Sequence, residues 1–162
     1  EHEAKGVLDR PPRPPSQGIL DRRMIEETAL SGGVIGLTAF GVFYLLFEVF
    51  GWGEFAARNA LLLLMVLFEN MHAFNCRSER SSIFKVSIRA NYFLVATIVA
   101  AQGLHIGAMF IPGLNDVLEV QPVSVVTWLI LFGVALILPL CVELYKLLRR
   151  EGPAEARSEG VC

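Results

Sequence analysis

The segment LLLLMVLFENMHAFNC (Leu61–Cys76) decides how the rest of the chain reads. Its first eight residues, Leu61–Phe68, include no polar side chain. A helix on the surface of a soluble bundle would carry a polar stripe along its outer side. Extended back to Phe55 and forward to Phe74, the run reaches about 20 residues, the length an α-helix needs to cross a hydrocarbon core about 30 Å thick. Three further stretches, 29–50, 92–111 and 123–145, have the same length and character. None shows the strict alternation that a membrane β-barrel requires. The fold class expected is therefore all-α, a polytopic membrane protein with four transmembrane helices in an up-down bundle. Residues 1–25 read as a cytoplasmic Pro/Arg-rich loop, 26–148 as the four-helix transmembrane domain and 149–162 as a disordered cytoplasmic tail.

Composition agrees. Of 162 residues, 54% are hydrophobic and 19% charged, against about 45–50% and about 25% in soluble domains. A net charge of −2 argues against a broad nucleic-acid footprint. Three scattered cysteines make neither a disulfide framework nor a zinc site. Glu1–Arg10 is polar and has no Met, so it reads neither as a signal peptide nor as a natural start. The chain is expected to be a piece of a longer polypeptide.

The punctuation between the spans is consistent with four helices. Gly51–Glu54 is a tight link with Trp52 placed as an interfacial anchor, and Arg77–Asn91 is a polar one. Pro112-Gly113 closes the third span and Pro122 precedes the fourth, in which Pro139 predicts a kink. Gly32, Gly33, Gly36 and Gly41 predict close approach of the first span to a neighbouring helix. The basic residues set the orientation. Lys5, Arg10, Arg13, Arg22 and Arg23 precede the first span, Arg77, Arg80, Lys85 and Arg89 fill the middle link, and Lys146, Arg149, Arg150 and Arg157 follow the fourth. Only Arg58 lies toward the other side, where Glu54, Asp116 and Glu119 stand. Both termini and the middle link are accordingly expected to be cytoplasmic, in a multi-pass protein of a cell membrane (plasma or inner), with its thiols reduced.

Two motifs add a resemblance. Asp9–Met24 (DRPPRPPSQGILDRRM) looks like the loop between the sixth and seventh membrane helices of type II P-type cation-transporting ATPases, whose Arg-Pro-Pro-Arg-x-Pro core is matched by Arg10–Pro15. Phe68–Phe84 (FENMHAFNCRSERSSIF) is similar to the end of that family's eighth helix, where an Ala-x-Asn-x-x-Ser-Glu pattern recurs, here Ala73, Asn75, Ser78 and Glu79. The third and fourth spans, ending in VELYKLLRR (Val142–Arg150), match the ninth and tenth helices in order and spacing. The resemblance covers roughly residues 1–150 and is calcium-pump-like. It implies a parent that binds ATP with Mg²⁺, phosphorylates an aspartate and moves a cation, with Ca²⁺ first in line. Na⁺, K⁺, Mn²⁺, Mg²⁺ and H⁺ stay open. The family's Asp-Lys-Thr-Gly-Thr and Thr-Gly-Glu motifs are absent from this sequence. So are its fourth to sixth helices, which carry most of the ion ligands, and this chain alone is expected to be catalytically inactive. The expected partners are the bilayer and the remaining helices and cytoplasmic domains of the parent.

Glu69 is the leading candidate for the cation site or ion path. A carboxylate near mid-span costs about 2.5–3.5 kcal/mol on insertion scales, so it should face protein and have a partner. Hard cations take carboxylate oxygens, and the resemblance makes this position an ion ligand, acidic in the calcium pumps. The other reading is polar glue between helices. His72, one turn on, shares that side of the helix. The sodium/potassium-pump relatives place an acidic ligand there, whereas an imidazole would move a proton or pair with Glu69. Asn70, Gln102, His105 and Glu143 read as possible interhelical polar contacts, Glu143 by default as an interfacial snorkelling pair with Lys146. The resemblance makes Arg10, Arg13, Arg22 and Arg23 a coupling loop against the phosphorylation domain; the alternative is a cationic segment on anionic headgroups. Two other functions compete: a stand-alone four-helix scaffold or accessory subunit, and a small proton-coupled carrier. An upstream reading frame with a phosphorylatable Asp would favour the pump, and a carrier should show internal repeats, which the two helix pairs lack.

Overall fold

The computed structural model describes residues 22–76 and 92–150. Every regular element among them is helical. Helix α1 (Arg22–Tyr44) runs into a π-helical turn (Leu45–Val49), followed by α2 (Glu54–Asn75), α3 (Tyr92–Phe110), a single-turn α4 (Leu114–Leu118), α5 (Val125–Ala135) and α6 (Ile137–Arg150). Three helical stretches are long and apolar enough to cross a membrane: Met24–Val49, Tyr92–Phe110 and Val125–Arg149. Helix α2 has the length, 22 residues, but Glu54, Arg58, Asn59, Glu69, Asn70, His72 and Asn75 dilute its apolar character.

The residues that end and bend these helices explain their boundaries. In the π-turn the Phe50 N–H reaches back five residues to the Leu45 carbonyl (2.9 Å), and Gly51 (φ 66°) then turns the chain in the left-handed region that glycine enters without penalty. Gly113 (φ 84°) does the same after Pro112. Ser124 caps α5, its Oγ accepting from the Thr127 N–H at 3.1 Å. The interruption between α5 and α6 falls at Leu136. Pro139, one turn later, has no N–H to give the Ala135 carbonyl, so the α-ladder loses a rung there. Where a kink is expected, the helix is interrupted at Leu136, which itself keeps α-region dihedrals. Helix α1 begins at Arg22, before the expected span start at 29, and α4 is an element that the expected spans did not include.

Helix α2 is the centre of the bundle. It packs on α1, α3, α5 and α6, most extensively on α5. Its Ala60, Leu63, Leu64, Leu67 and Phe68 meet Leu131 and Ala135 of α5 and Leu138 and Val142 of α6 in one buried cluster. The spacing 60-63-64-67-68 is one helical stripe, which is why these positions bury together. Helix α3 touches the body through α2 and α4 and is exposed along most of its length. The glycines of α1 do not serve the expected close approach within the described residues: a Cβ added at Gly32, Gly33, Gly36 or Gly41 would meet nothing within 4 Å.

Candidate functional site

The site is built on the two sides of α2. One side holds the buried stripe and, flanking it, the buried amides Asn59, Asn70 and Asn75. The other runs Arg58, Leu62, Met65, Glu69, His72, Cys76, again at helical spacing. Arg58, Leu62, Glu69 and Cys76 on this stripe are exposed, and Met65 and His72 are half-buried. Toward the start of α2 a groove of about 290 Å³ follows it, lined by Phe55, Arg58, Asn59, Leu61, Leu62, Met65, Leu118 and Glu119.

Glu69 therefore points away from the body formed by this chain, and no described side chain makes a hydrogen bond or ion pair with it. The expectation that it faces a partner is not met within the described residues. The reason is steric: Leu64, Leu67 and Phe68 occupy the side of α2 that α5 and α6 cover. His72 shares the stripe but is not bonded to Glu69. Its Nε2 lies 3.4 Å from the Cys76 Sγ, one turn on, while its buried Nδ1 has no hydrogen-bond partner. Burial pushes the Cys76 thiol above the ordinary thiol range, the nearby Glu27 and Glu69 acting in the same direction against Lys146. Among the described residues no three His, Cys, Asp or Glu side chains come together closely enough to hold a metal. Any cation bound at Glu69 would need further oxygen ligands from elsewhere.

The other candidates separate into three groups. Asn70 and Gln102 meet: the Asn70 Nδ2 donates to the Gln102 Oε1 at 3.0 Å, tying α2 to α3. His105, one turn beyond Gln102, is half-buried and its Nε2 finds no partner. Glu143 and Lys146 are both buried, at 8% and 3% exposed. Helix α6 packs on both α1 and α2, and Val142, one residue before Glu143, belongs to the buried core cluster. Of the proposed coupling arginines, Arg22 is described, whereas Arg10, Arg13 and the side chain of Arg23 lie outside the described residues, as do Ser78 and Glu79.

Two polar junctions escaped the sequence reading. At the start of α2, Asn59 donates through Nδ2 to the Gln121 carbonyl (2.8 Å) and accepts from the Gln121 N–H at Oδ1 (3.1 Å). Beside it the Arg58 guanidinium lies 3.4 Å from Glu119. At the opposite end of α1 and α6, the Glu26 carboxylate accepts from Arg22 (2.8 Å), from the Tyr145 hydroxyl (2.7 Å) and from Arg149. An asparagine inside an apolar helix was a usable signal for the first junction. The second joins residues 119 and 123 positions apart, which no local pattern reveals.

Comparison with known proteins agrees with this architecture. The chain is 28% identical over 150 residues to the probable cation-transporting ATPase F of Mycobacterium bovis, which covers 93% of this chain and 16% of that protein. It is 23% identical over 131 residues to a calcium-transporting ATPase of Bacillus subtilis (81% of this chain, 15% of that protein). It is 26% identical over 162 residues to calcium-transporting ATPase type 2C member 2 of Mus musculus (97% and 17%). The chain thus spans about one sixth of the length of these relatives. Residues 1–148 match the family described as cation transporting ATPase, C-terminus, and with a helical body apolar enough to be an integral membrane protein, the chain belongs to the C-terminal region of the P-type cation-transporting ATPases.

Proposed function

We propose that this region is the C-terminal transmembrane part of an ATP-driven calcium pump, in which it buttresses the transport site and contributes Glu69 to it. The chain crosses the membrane four times, through α1 with its π-turn, α2, α3 and the α5–α6 pair, with both ends cytoplasmic. Two contacts support that topology. The first turn of α1 lies against the last turns of α6 through Glu26, and the start of α2 lies against Glu119 and Gln121. The ends carrying thirteen of the fourteen basic residues then share one side.

The observation that carries the functional reading is the outward stripe of α2. An ionisable carboxylate facing acyl chains costs about 2.5–3.5 kcal/mol on insertion scales. Helix α2 is also the least apolar of the four, and Glu69 is exposed on it. Such a side is suited to protein and cation rather than to lipid. The helices of the parent outside this chain pack against it and supply the missing oxygen ligands. The relatives named as calcium-transporting ATPases support Ca²⁺ as the cargo, a hard cation matched to a carboxylate. ATP, Mg²⁺ and the phosphorylated aspartate belong to parts of the parent beyond this chain. His72, in place of an acidic ligand, lowers the negative charge available on the stripe.

The test is Ca²⁺-stimulated phosphorylation of the full-length parent from ATP, with Mn²⁺, Mg²⁺, Na⁺ and K⁺ as comparators. Glu69→Gln is expected to weaken the apparent Ca²⁺ affinity at least tenfold, and Glu48→Gln, on the exposed π-turn, to leave it unchanged. Equal affinity in the wild type and the Glu69 variant would return that residue to a purely structural role.

A further inference from the structure

We propose that Glu26 is a positioning residue: it clasps the first turn of α1 to the last turns of α6, so that the two ends of this region move as one body during transport. This rests on the pump reading above, although the clasp itself does not.

Three donors converge on the one carboxylate. Arg22 reaches it from one turn before on the same helix at 2.8 Å, and the Tyr145 hydroxyl from α6 at 2.7 Å. Arg149, one turn beyond Tyr145, closes the cluster with its guanidinium 5.8 Å from the centre of the Tyr145 ring. The geometry is more specific than an ordinary surface ion pair. Glu26 is 29% exposed and Arg149 33%, while Arg22 is 89% exposed. The two α6 donors are therefore the partly desolvated ones, and charge-assisted hydrogen bonds gain strength as water withdraws. Tyr145 and Arg149 sit at i and i+4, on one side of α6, which is why a single side chain of α1 can engage both.

The place of the cluster gives it a consequence. Helix α6 follows α5 across the interruption at Leu136, where Pro139 removes a rung of the α-ladder, and it packs on α1 as well as on α2. Chain connectivity does not link α1 to α6. The clasp does, and it lets a displacement of the start of α1 pass to α6 instead of being absorbed between them. The carboxylate and its three donors lie on α1 and α6, whereas Glu69 lies on α2, so the clasp should govern turnover and not the affinity for cargo.

The experiment uses the full-length parent. In thermal denaturation, Glu26→Ala, Arg149→Ala and the double variant form a cycle. The clasp predicts that the loss of Tm in the double variant is clearly smaller than the sum of the two single losses, and additive losses overturn it. In Ca²⁺-stimulated ATP hydrolysis, Glu26→Ala is expected to lower the rate at saturating Ca²⁺ at least fivefold, with half-saturation within twofold of wild type. The exchange variant Glu26→Arg with Arg149→Glu should restore half of the wild-type rate. A wild-type rate in Glu26→Ala, a shift in half-saturation in place of rate, or no recovery in a folded exchange variant overturns the positioning role. A wild-type parent with no cation-stimulated hydrolysis would sink the pump reading instead, while the stability cycle still decides the clasp.

Discussion

Helices α2 and α3 have similar lengths, 22 and 19 residues, and opposite fates. Helix α3 is the more apolar, yet Met109 is the one residue of its length that is buried, and Phe93 is 80% exposed. Helix α2 carries three buried asparagines, Asn59, Asn70 and Asn75, yet it supplies the core, with Leu63, Leu64 and Phe68 fully buried. In water this ordering would be perverse. In a bilayer it is what the solvent dictates, because lipid tails are as apolar as leucine and polar groups are better matched by other protein groups. Of two helices surrounded by lipid, the more polar is the one that belongs inside.

The sharpest way to break this comparison is to remove volume from each helix in turn. Phe68→Ala should cost about 3 kcal/mol or more, because the cavity it leaves is closed in by α5 and α6. Thermal denaturation in detergent reads it as a lowered Tm. Next in size is Asn59→Leu, which strips both hydrogen bonds from the Gln121 backbone and leaves an unpaired N–H and carbonyl, a loss of about 1–3 kcal/mol. Hydrogen exchange at Val120 and Gln121 should accelerate in parallel. The Asn70–Gln102 bond is expected to be worth less, about 0.6 kcal/mol by double-mutant cycle, the average for such bonds between membrane helices. Smallest of all, Phe93→Ala on α3 should change stability by less than about 0.5 kcal/mol, as substitutions away from packed features do. An effect of Phe93→Ala that matched Phe68→Ala would mean that α3 is packed against protein along the side that is open here.

The same contrast shows what was legible in the sequence. The apolar runs around Leu61–Phe68 and Tyr92–Ile111 announced helices because hydrophobic length is a local property. Gly51, Pro112 and Pro139 announced their ends and their break for the same reason. Direction was not local. Glu69 and Glu143 are both carboxylates in apolar helices, each with a basic or titratable residue three positions on, His72 and Lys146, and that local pattern does not say which of them is buried. Yet Glu143 is buried while Glu69 is exposed. Which way each points follows from where Leu64, Leu67 and Phe68 lock α2 onto α5 and α6, a packing decision that emerges only in three dimensions. The Glu26 cluster was invisible for the same reason. Its members are separated by most of the chain, whereas Asn59, adjacent to the core stripe, could have been flagged as an amide in need of a backbone partner.

The wide turn at Leu45–Val49 has a bearing on how this helix can vary among its relatives. A π-turn holds one residue more than the α-helical turn it replaces, and so it behaves as a single-residue insertion accommodated without unravelling the helix. Excising one residue from that stretch should regularise the backbone to 3.6 residues per turn while rotating everything beyond it, Trp52 included, by about a quarter turn or slightly more. The spare residue is therefore a phase adjuster, fixing the angle at which the chain leaves α1 to begin α2.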